Sequence, residues 1–85
     1  MPQSVFTAAY AQFLKELIAA RKRAGLTQAE LGRKINKDQR FISQIELGVR
    51  RLDVIEFFVI AGGLGLDPGQ FYTAIASKLP QDVAI

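Results

Sequence analysis

The side chains between Arg21 and Arg51 are suited to binding rather than to covalent catalysis. The chain contains neither cysteine nor histidine, which removes disulfides, thiolate metal ligands, the commonest general base and the commonest metal-binding imidazole. What this segment offers instead is a concentration of guanidinium, ammonium and amide groups, which form hydrogen bonds and ion pairs. We therefore expect no enzyme, no metal site and no cofactor.

Positive charge is concentrated in the same segment. Residues 21–51 include nine basic and three acidic residues, a net charge of +6, whereas the rest of the chain has two basic and five acidic residues, a net charge of −3. A basic face attracts polyanions, nucleic acid first, through its field and through counterion release. An ordinary solvated surface is the alternative interpretation of the same charges.

Five helices and no strand are predicted from the spacing of apolar residues and from the capping residues. Helix 1 is expected from Val5 to Ala24, with Ser4 or Thr7 as its cap and Gly25 as its stop. The next helices are expected to start at Thr27, whose pairing with Glu30 is a capping box, and then at Asp38, Asp53 and Asp67. Their expected ends are Asn36, Glu46 or Leu47, Gly62 or Gly63, and about Ser77.

Helix 3 has two chemically different faces on a helical wheel. Its apolar side consists of Phe41, Ile42 and Ile45. Its outward side consists of Gln39, Arg40, Ser43, Gln44 and Leu47. The amides, the guanidinium and the hydroxyl of that side can read base edges, because arginine bonds guanine at two points and glutamine bonds adenine likewise. An ordinary polar helix surface is the alternative, although such a surface is more often rich in glutamate and lysine.

The stretch from Gly25 to Leu66 resembles the Cro/cI-type helix-turn-helix family, often called XRE. The matching positions are Gly25-Leu26-Thr27-Gln28, then Leu31 and Gly32, then Ile42, Ile45, Glu46 and Gly48, and finally Ala61, Leu64, Gly65 and Leu66. The resemblance implies an all-α, compact five-helix bundle of the lambda-repressor-like DNA-binding class. It further implies one domain over residues 1–85, with a core at about 10–76, the helix-turn-helix at about 27–47 and a frayed tail at about 78–85.

Roles for individual residues follow from this resemblance together with the helical wheel. The expected base-reading residues are Gln39, Arg40, Ser43 and Gln44. The expected phosphate contacts are Gln28, Lys37, Arg50 and Arg51, and Gln28 could also brace Gln39. Glu46 is expected to form a structural ion pair with Arg21 rather than to act as a catalytic acid.

The sequence departs from the family pattern at a few positions. Asn36 stands where the family favours glycine, a substitution that the left-handed conformation tolerates in asparagine. Phe41 occupies a place where small or polar residues are frequent, and it could either shield helix 3 or touch a thymine methyl group. Gly62 and Gly63 weaken the end of helix 4.

A second surface is suggested by Ile55 and Val59, which share one face of helix 4. Together with Phe71 and Tyr72 they form a candidate partner surface, for which extra core is the alternative. The longest apolar run, Val54 to Leu66, contains Glu56 and is too short to span a membrane.

These observations predict a sequence-specific, double-stranded DNA-binding transcriptional regulator. We expect a homodimer that acts as a repressor and reads the major groove of operator or promoter DNA with helix 3 (38–47). Its expected location is the cytoplasm of a bacterial or phage-type system, associated with the nucleoid and not with a membrane. The alternatives are the antitoxin of a toxin–antitoxin pair, with the toxin as a protein partner, and a protein-interaction module on the same fold.

Overall fold

A computed structural model describes residues 7–83, and within that range the chain forms five α-helices and no strand. The helices are α1 Ala8–Arg23, α2 Gln28–Lys34, α3 Gln39–Glu46, α4 Val54–Gly63 and α5 Pro68–Ala76. The predicted all-α architecture with a helix-turn-helix is confirmed, since α2 and α3 are joined by a turn of four residues, 35–38.

A side-chain oxygen caps the start of every helix. In α2 the Thr27 hydroxyl accepts from the Glu30 N–H, and the Glu30 carboxylate accepts from the Thr27 N–H. The first helix begins at Ala8 because the backbone of Thr7 is extended and its hydroxyl accepts from the Tyr10 N–H. The helix therefore starts later than predicted; Ser4 and Val5 lie outside the described residues.

Asn36, in the left-handed conformation, follows the end of α2, the first helix of the helix-turn-helix. Asn36 has φ of 62°, and it is the only described residue other than glycine with a positive φ. This conformation turns the chain so that the Lys37 N–H donates to the Gly32 carbonyl at 2.8 Å. Asparagine thus fills the role that glycine plays in the resembled pattern.

The buried core is assembled from all five helices. Its members include Leu14 and Leu17 of α1, Leu31 of α2, Ile42 and Ile45 of α3, Phe57 and Ile60 of α4, and Phe71 and Ile75 of α5. The inward-facing residues of α3, Ile42 and Ile45, are at most 2% exposed. Burial of this face orients the opposite face of α3 toward solvent.

The assignment of Phe71 to a partner surface was wrong. Phe71 is only 7% exposed, and its ring stacks on Phe57 with 5.3 Å between centroids. The neighbouring Tyr72 is half exposed and meets Phe57 edge-on. Phe71 therefore belongs to the contact between α4 and α5, and only Tyr72 remains on the surface.

The two residues 78 and 79, shortly after α5, contact other parts of the fold. Leu79 packs against the core, and the Lys78 ammonium lies 3.2 Å from the Glu16 carboxylate of α1. Lys78 and Leu79, the first residues of the predicted tail, thus tie the end of α5 back to α1 and the core.

Two glycines are required by close packing. A Cβ on Gly32 would lie 2.8 Å from the carbonyl oxygens of Lys37 and Asp38, and one on Gly63 would lie 2.8 Å from the Ile35 side chain. Gly63 thus permits α4 to approach α2, which explains one of the two glycines that weaken α4. Gly62 has no such neighbour within 4 Å.

We predict opposite effects for alanine at Gly32 and at Gly62. Gly32→Ala should lower the free energy of unfolding by about 1–3 kcal/mol, because backbone atoms block the new methyl group. Gly62→Ala should raise it by up to about 1 kcal/mol, because open space surrounds the new Cβ and alanine favours the helix. Chemical denaturation of both variants measures the difference, and equal effects would contradict the close approach of α2 to the turn.

Candidate nucleic-acid interface

A buried ion pair joins α1 to α3. The Arg21 Nε donates to Glu46 Oε2 at 2.7 Å, and a second guanidinium nitrogen donates to Glu46 Oε1 at 3.0 Å. The two side chains are 11% and 6% exposed. A further guanidinium nitrogen donates to the Leu26 carbonyl at 2.8 Å, so the same arginine also holds the link that leads into α2.

The hydrogen-bond chain continues from this pair to the surface. The Gln28 amide nitrogen donates to Glu46 Oε1 at 2.9 Å, and the Gln39 amide nitrogen donates to Gln28 Oε1 at 3.2 Å. Gln28 and Gln39 are the first residues of α2 and α3. A charge that is fixed inside the protein therefore determines the orientation of two amides at its surface, and Gln28 braces Gln39.

The solvent side of α3 matches the outward side of the helical wheel in part. Gln39, Arg40 and Leu47 are exposed, whereas Ser43 and Gln44 are half-buried. Among the described residues, none forms a hydrogen bond with the side chains of Arg40, Ser43 or Gln44. Their donors and acceptors are thus available to a ligand that lies along the helix.

Phe41 lies between two cations and does not face outward with Arg40. The Lys37 ammonium is 5.0 Å and the Arg50 guanidinium 4.7 Å from the centroid of its ring. Both distances are within the range of cation–π attraction. Phe41 is therefore half-buried beside Lys37 and Arg50, a position in which it shields this side of the helix.

Arg50 is engaged with a carboxylate that the sequence reasoning did not single out. Its guanidinium donates to both Glu56 oxygens, at 3.0 and 2.7 Å, and to the Arg51 carbonyl at 3.2 Å. Glu56 also accepts from the Asp53 N–H and thereby completes a capping box at the start of α4. The spacing Asp53-x-x-Glu56 is the sequence signal that could have identified it.

These contacts lower the pKa of the Glu56 carboxyl, chiefly through the hydrogen bonds from Arg50 and then through the Asp53 N–H. The Glu56 contacts also raise the pKa of Arg50. The stabilisation by the Glu56 carboxylate is accordingly present above the ordinary carboxylate pKa of about 4.3, and it is lost as the pH falls through the lowered value.

The remaining predicted basic residue, Arg51, lies beside α1. Its guanidinium is 4.9 Å from the centroid of the Tyr10 ring, while the Tyr10 hydroxyl accepts from the Leu52 N–H at 3.1 Å. Arg51 is exposed. The loop that carries Arg50 and Arg51 is thus fastened to both α1 and α4, and it lies directly after α3.

The outer surface of α4 is apolar. Ile55 is 67% exposed and Val59 42% exposed, so the alternative of extra core does not hold for either residue. Val54 and Phe58 add to this surface with 77% and 62% exposure. Of the residues predicted for a partner surface, the structure thus leaves Ile55, Val59 and Tyr72 exposed.

Neither a membrane span nor a metal cluster is found within residues 7–83. None of the helices is long and apolar enough to cross a bilayer. In the same range, no three His, Cys, Asp or Glu side chains are grouped so that they could hold a metal ion.

A family model described as helix-turn-helix matches residues 17–71. No curated protein matches the chain. Among solved structures, an XRE-family like protein from Pseudomonas syringae pv. tomato is 40% identical, with a TM-score of 0.79 over 86% of this chain and 89% of that one. Two point mutants of the restriction-modification controller protein C.Esp1396I are also similar. One is 26% identical with a TM-score of 0.76 over 85% of this chain and 91% of its own. The other is 28% identical with a TM-score of 0.70 over 81% and 89%.

We predict that Glu46→Ala lowers the free energy of unfolding by about 3–5 kcal/mol, because it leaves the Arg21 charge buried without its partner. Thermal and chemical denaturation measure the loss. A variant that melts at the wild-type temperature would show that the pair has no structural role.

Two matched substitutions compare how much a buried and a partly exposed arginine–glutamate pair contribute to the free energy of unfolding. Glu46→Gln and Glu56→Gln each remove one carboxylate charge from an arginine that binds it through two nitrogens. We expect Glu56→Gln to cost no more than about 1 kcal/mol, because solvent screens this pair. Glu46→Gln should cost clearly more.

Proposed function

The chain belongs to the XRE-type helix-turn-helix family of DNA-binding domains, and on this premise we propose that it is a homodimeric transcriptional repressor. In this proposal α3 lies in the major groove of operator DNA and excludes other proteins from the promoter. The proposal places its site of action on nucleoid DNA in the cytoplasm.

The observation that carries the proposal is the chain of bonds from the buried Arg21–Glu46 pair through Gln28 to Gln39. A side chain that is already ordered loses less conformational entropy when it binds. In this proposal the ordered Gln39 meets a base edge, and Gln28, at the start of α2, contacts a phosphate. Arg40, Ser43 and Gln44 extend the base-reading surface along α3.

Basic side chains on both sides of α3 support the assignment of phosphate contacts. Lys37 precedes the helix and Arg51 follows it, and both are exposed. Phosphates that run along the two edges of a major groove would meet one residue from each side. Lys37, Arg50 and Arg51 would thus fix the register of the helix, and α3 would supply sequence preference.

The apolar surface of α4 supports a second copy of this chain as the dimer partner. A helix that is apolar on all sides is normally buried, and yet Val54, Ile55 and Phe58 are each more than 60% exposed. Glu56 is the one charged residue of α4, and it is already neutralised by Arg50. Two copies could therefore meet across a two-fold axis without opposing like charges.

The DNA-binding proposal predicts specific, salt-sensitive binding to duplex DNA. Selection from a random duplex pool should yield a two-fold symmetric site, and titration across salt should show a steep fall in affinity. Arg40→Ala should relax preference at one base pair by about 1–3 kcal/mol, whereas Lys37→Ala should weaken all sites alike and reduce the salt slope by about 1. Failure to bind any duplex at low salt would overturn the proposal.

The dimer proposal predicts that a charge on the α4 surface separates the two copies. Phe58→Glu should raise the dimer dissociation constant at least tenfold, since an apolar anchor is replaced by two repelling carboxylates. Sedimentation equilibrium measures the constant, and Ala11→Glu, at an exposed position of α1, is the control that should leave it unchanged. If the dimer dissociation constant of Phe58→Glu is unaltered, the α4 surface is excluded as the dimer interface. If a second small protein co-purifies with the wild type and is lost in Phe58→Glu, the α4 surface binds that protein, as expected for an antitoxin.

A further inference from the structure

Two aliphatic side chains are exposed at one end of the polar and basic surface proposed to face DNA. Leu47 is 69% exposed and Val49 is 68% exposed. They lie at the end of α3, immediately before Arg50 and Arg51, and are separate from the exposed apolar residues of α4. Charged and amide side chains are the usual occupants of a surface that only binds phosphates, so these two residues call for a different explanation.

The backbone places Leu47 on the same stripe of α3 as the proposed base readers. The Leu47 N–H donates to the Ser43 carbonyl at 2.9 Å, and the backbone of Leu47 has helical angles. Leu47 therefore lies one turn beyond Ser43 and seven residues beyond Arg40, which is two turns along one face. A molecule that touches Arg40 and Ser43 along the helix axis meets Leu47 next.

Val49 is held close to this stripe by the turn that ends α3. Gly48 has φ of 78°, and the Val49 N–H donates to the Gln44 carbonyl at 3.0 Å. This bond fixes the valine beside the last turn of the helix rather than leaving it on a free loop. Leu47 and Val49 thus form an apolar spot at the carboxyl end of the reading surface.

The chemistry of the major groove offers one apolar group to such a spot, the 5-methyl group of thymine. On this basis we propose that Leu47, assisted by Val49, determines specificity by packing on a thymine methyl group. The inference rests on the proposed DNA binding and adds the chemical group that the end of α3 recognises. Phe41 does not compete for this role, because Lys37 and Arg50 lie over its ring on another side of the helix.

The test uses the duplex site selected by the full chain and replaces its thymines with uracil one at a time. Uracil keeps every hydrogen-bonding group of thymine and lacks only the methyl group. Uracil at the position under the end of α3 should weaken wild-type binding about fourfold, which corresponds to the loss of one buried methyl group. Substitution at thymines outside the contacted groove should have no effect.

Protein variants then link the methyl group to the side chain. Leu47→Ala should bind the thymine and uracil sites equally well, and Val49→Ala should reduce the difference. Val83→Ala, a change at an exposed aliphatic residue of the carboxyl-terminal segment, should retain the full fourfold discrimination. Circular dichroism establishes that each variant is folded, as expected for changes at exposed positions.

The outcomes separate this inference from the function on which it rests. If the wild type binds its selected site and uracil is tolerated at every position, the methyl contact is excluded and DNA binding stands. The contact is also excluded if folded Leu47→Ala still discriminates fourfold, or if the selected site has no thymine beneath α3. Absence of binding to any duplex overturns both proposals.

Discussion

The ion pair between Arg21 and Glu46 is the constraint on which the arrangement of the first three helices depends. Helices α2 and α3 have seven and eight residues, too few to be stable alone in water. Burying two charges is costly unless their remaining hydrogen-bonding groups are satisfied. Here the Leu26 carbonyl and the Gln28 amide complete the set. The pair consequently fixes α1, the entry to α2 and the end of α3 relative to one another. It also orients the amides of Gln28 and Gln39 through their hydrogen bonds.

Much of the fold could be predicted because its signals are local. The Thr27 and Glu30 capping box, the Asp38 cap and the left-handed Asn36 each depend on residues within five positions of one another. Such interactions leave a direct trace in the sequence spacing. The start of α1 was predicted too early, because Ser4 and Thr7 could both cap the helix and local spacing does not choose between them. The structure identifies Thr7 as the cap.

The parts that could not be predicted depend on contacts between distant elements. Whether Phe71 or Tyr72 turns inward is decided by the Phe57 ring of α4, and the sequence of α5 alone presents both as apolar. The same holds for the close approach of Gly63 to Ile35, which appears in the sequence only as a weak helix end. For the site, the wheel of α3 correctly separated the exposed Gln39, Arg40 and Leu47 from the buried Ile42 and Ile45. It could not show that Phe41 would be enclosed by Lys37 and Arg50.

The net charge of the basic segment overstates the field that DNA would meet. Arg50 is neutralised at the surface by Glu56, which lies outside the segment and is not counted in its net charge. Glu46, the partner of Arg21, is already counted there. Lys37, Arg40 and Arg51 are exposed cations that form no ion pair with a carboxylate among the described residues.

Arg50 nonetheless has donors left that would bind a phosphate while its bonds to Glu56 are kept. A guanidinium has five N–H donors, and the Glu56 and Arg51 acceptors occupy three of them. Because Glu56 already compensates its charge, Arg50 would orient the bound phosphate and add little to the electrostatic attraction of DNA. The salt dependence of binding should then reflect the uncompensated cations, and the geometry of the complex should reflect the arginines that are held in place.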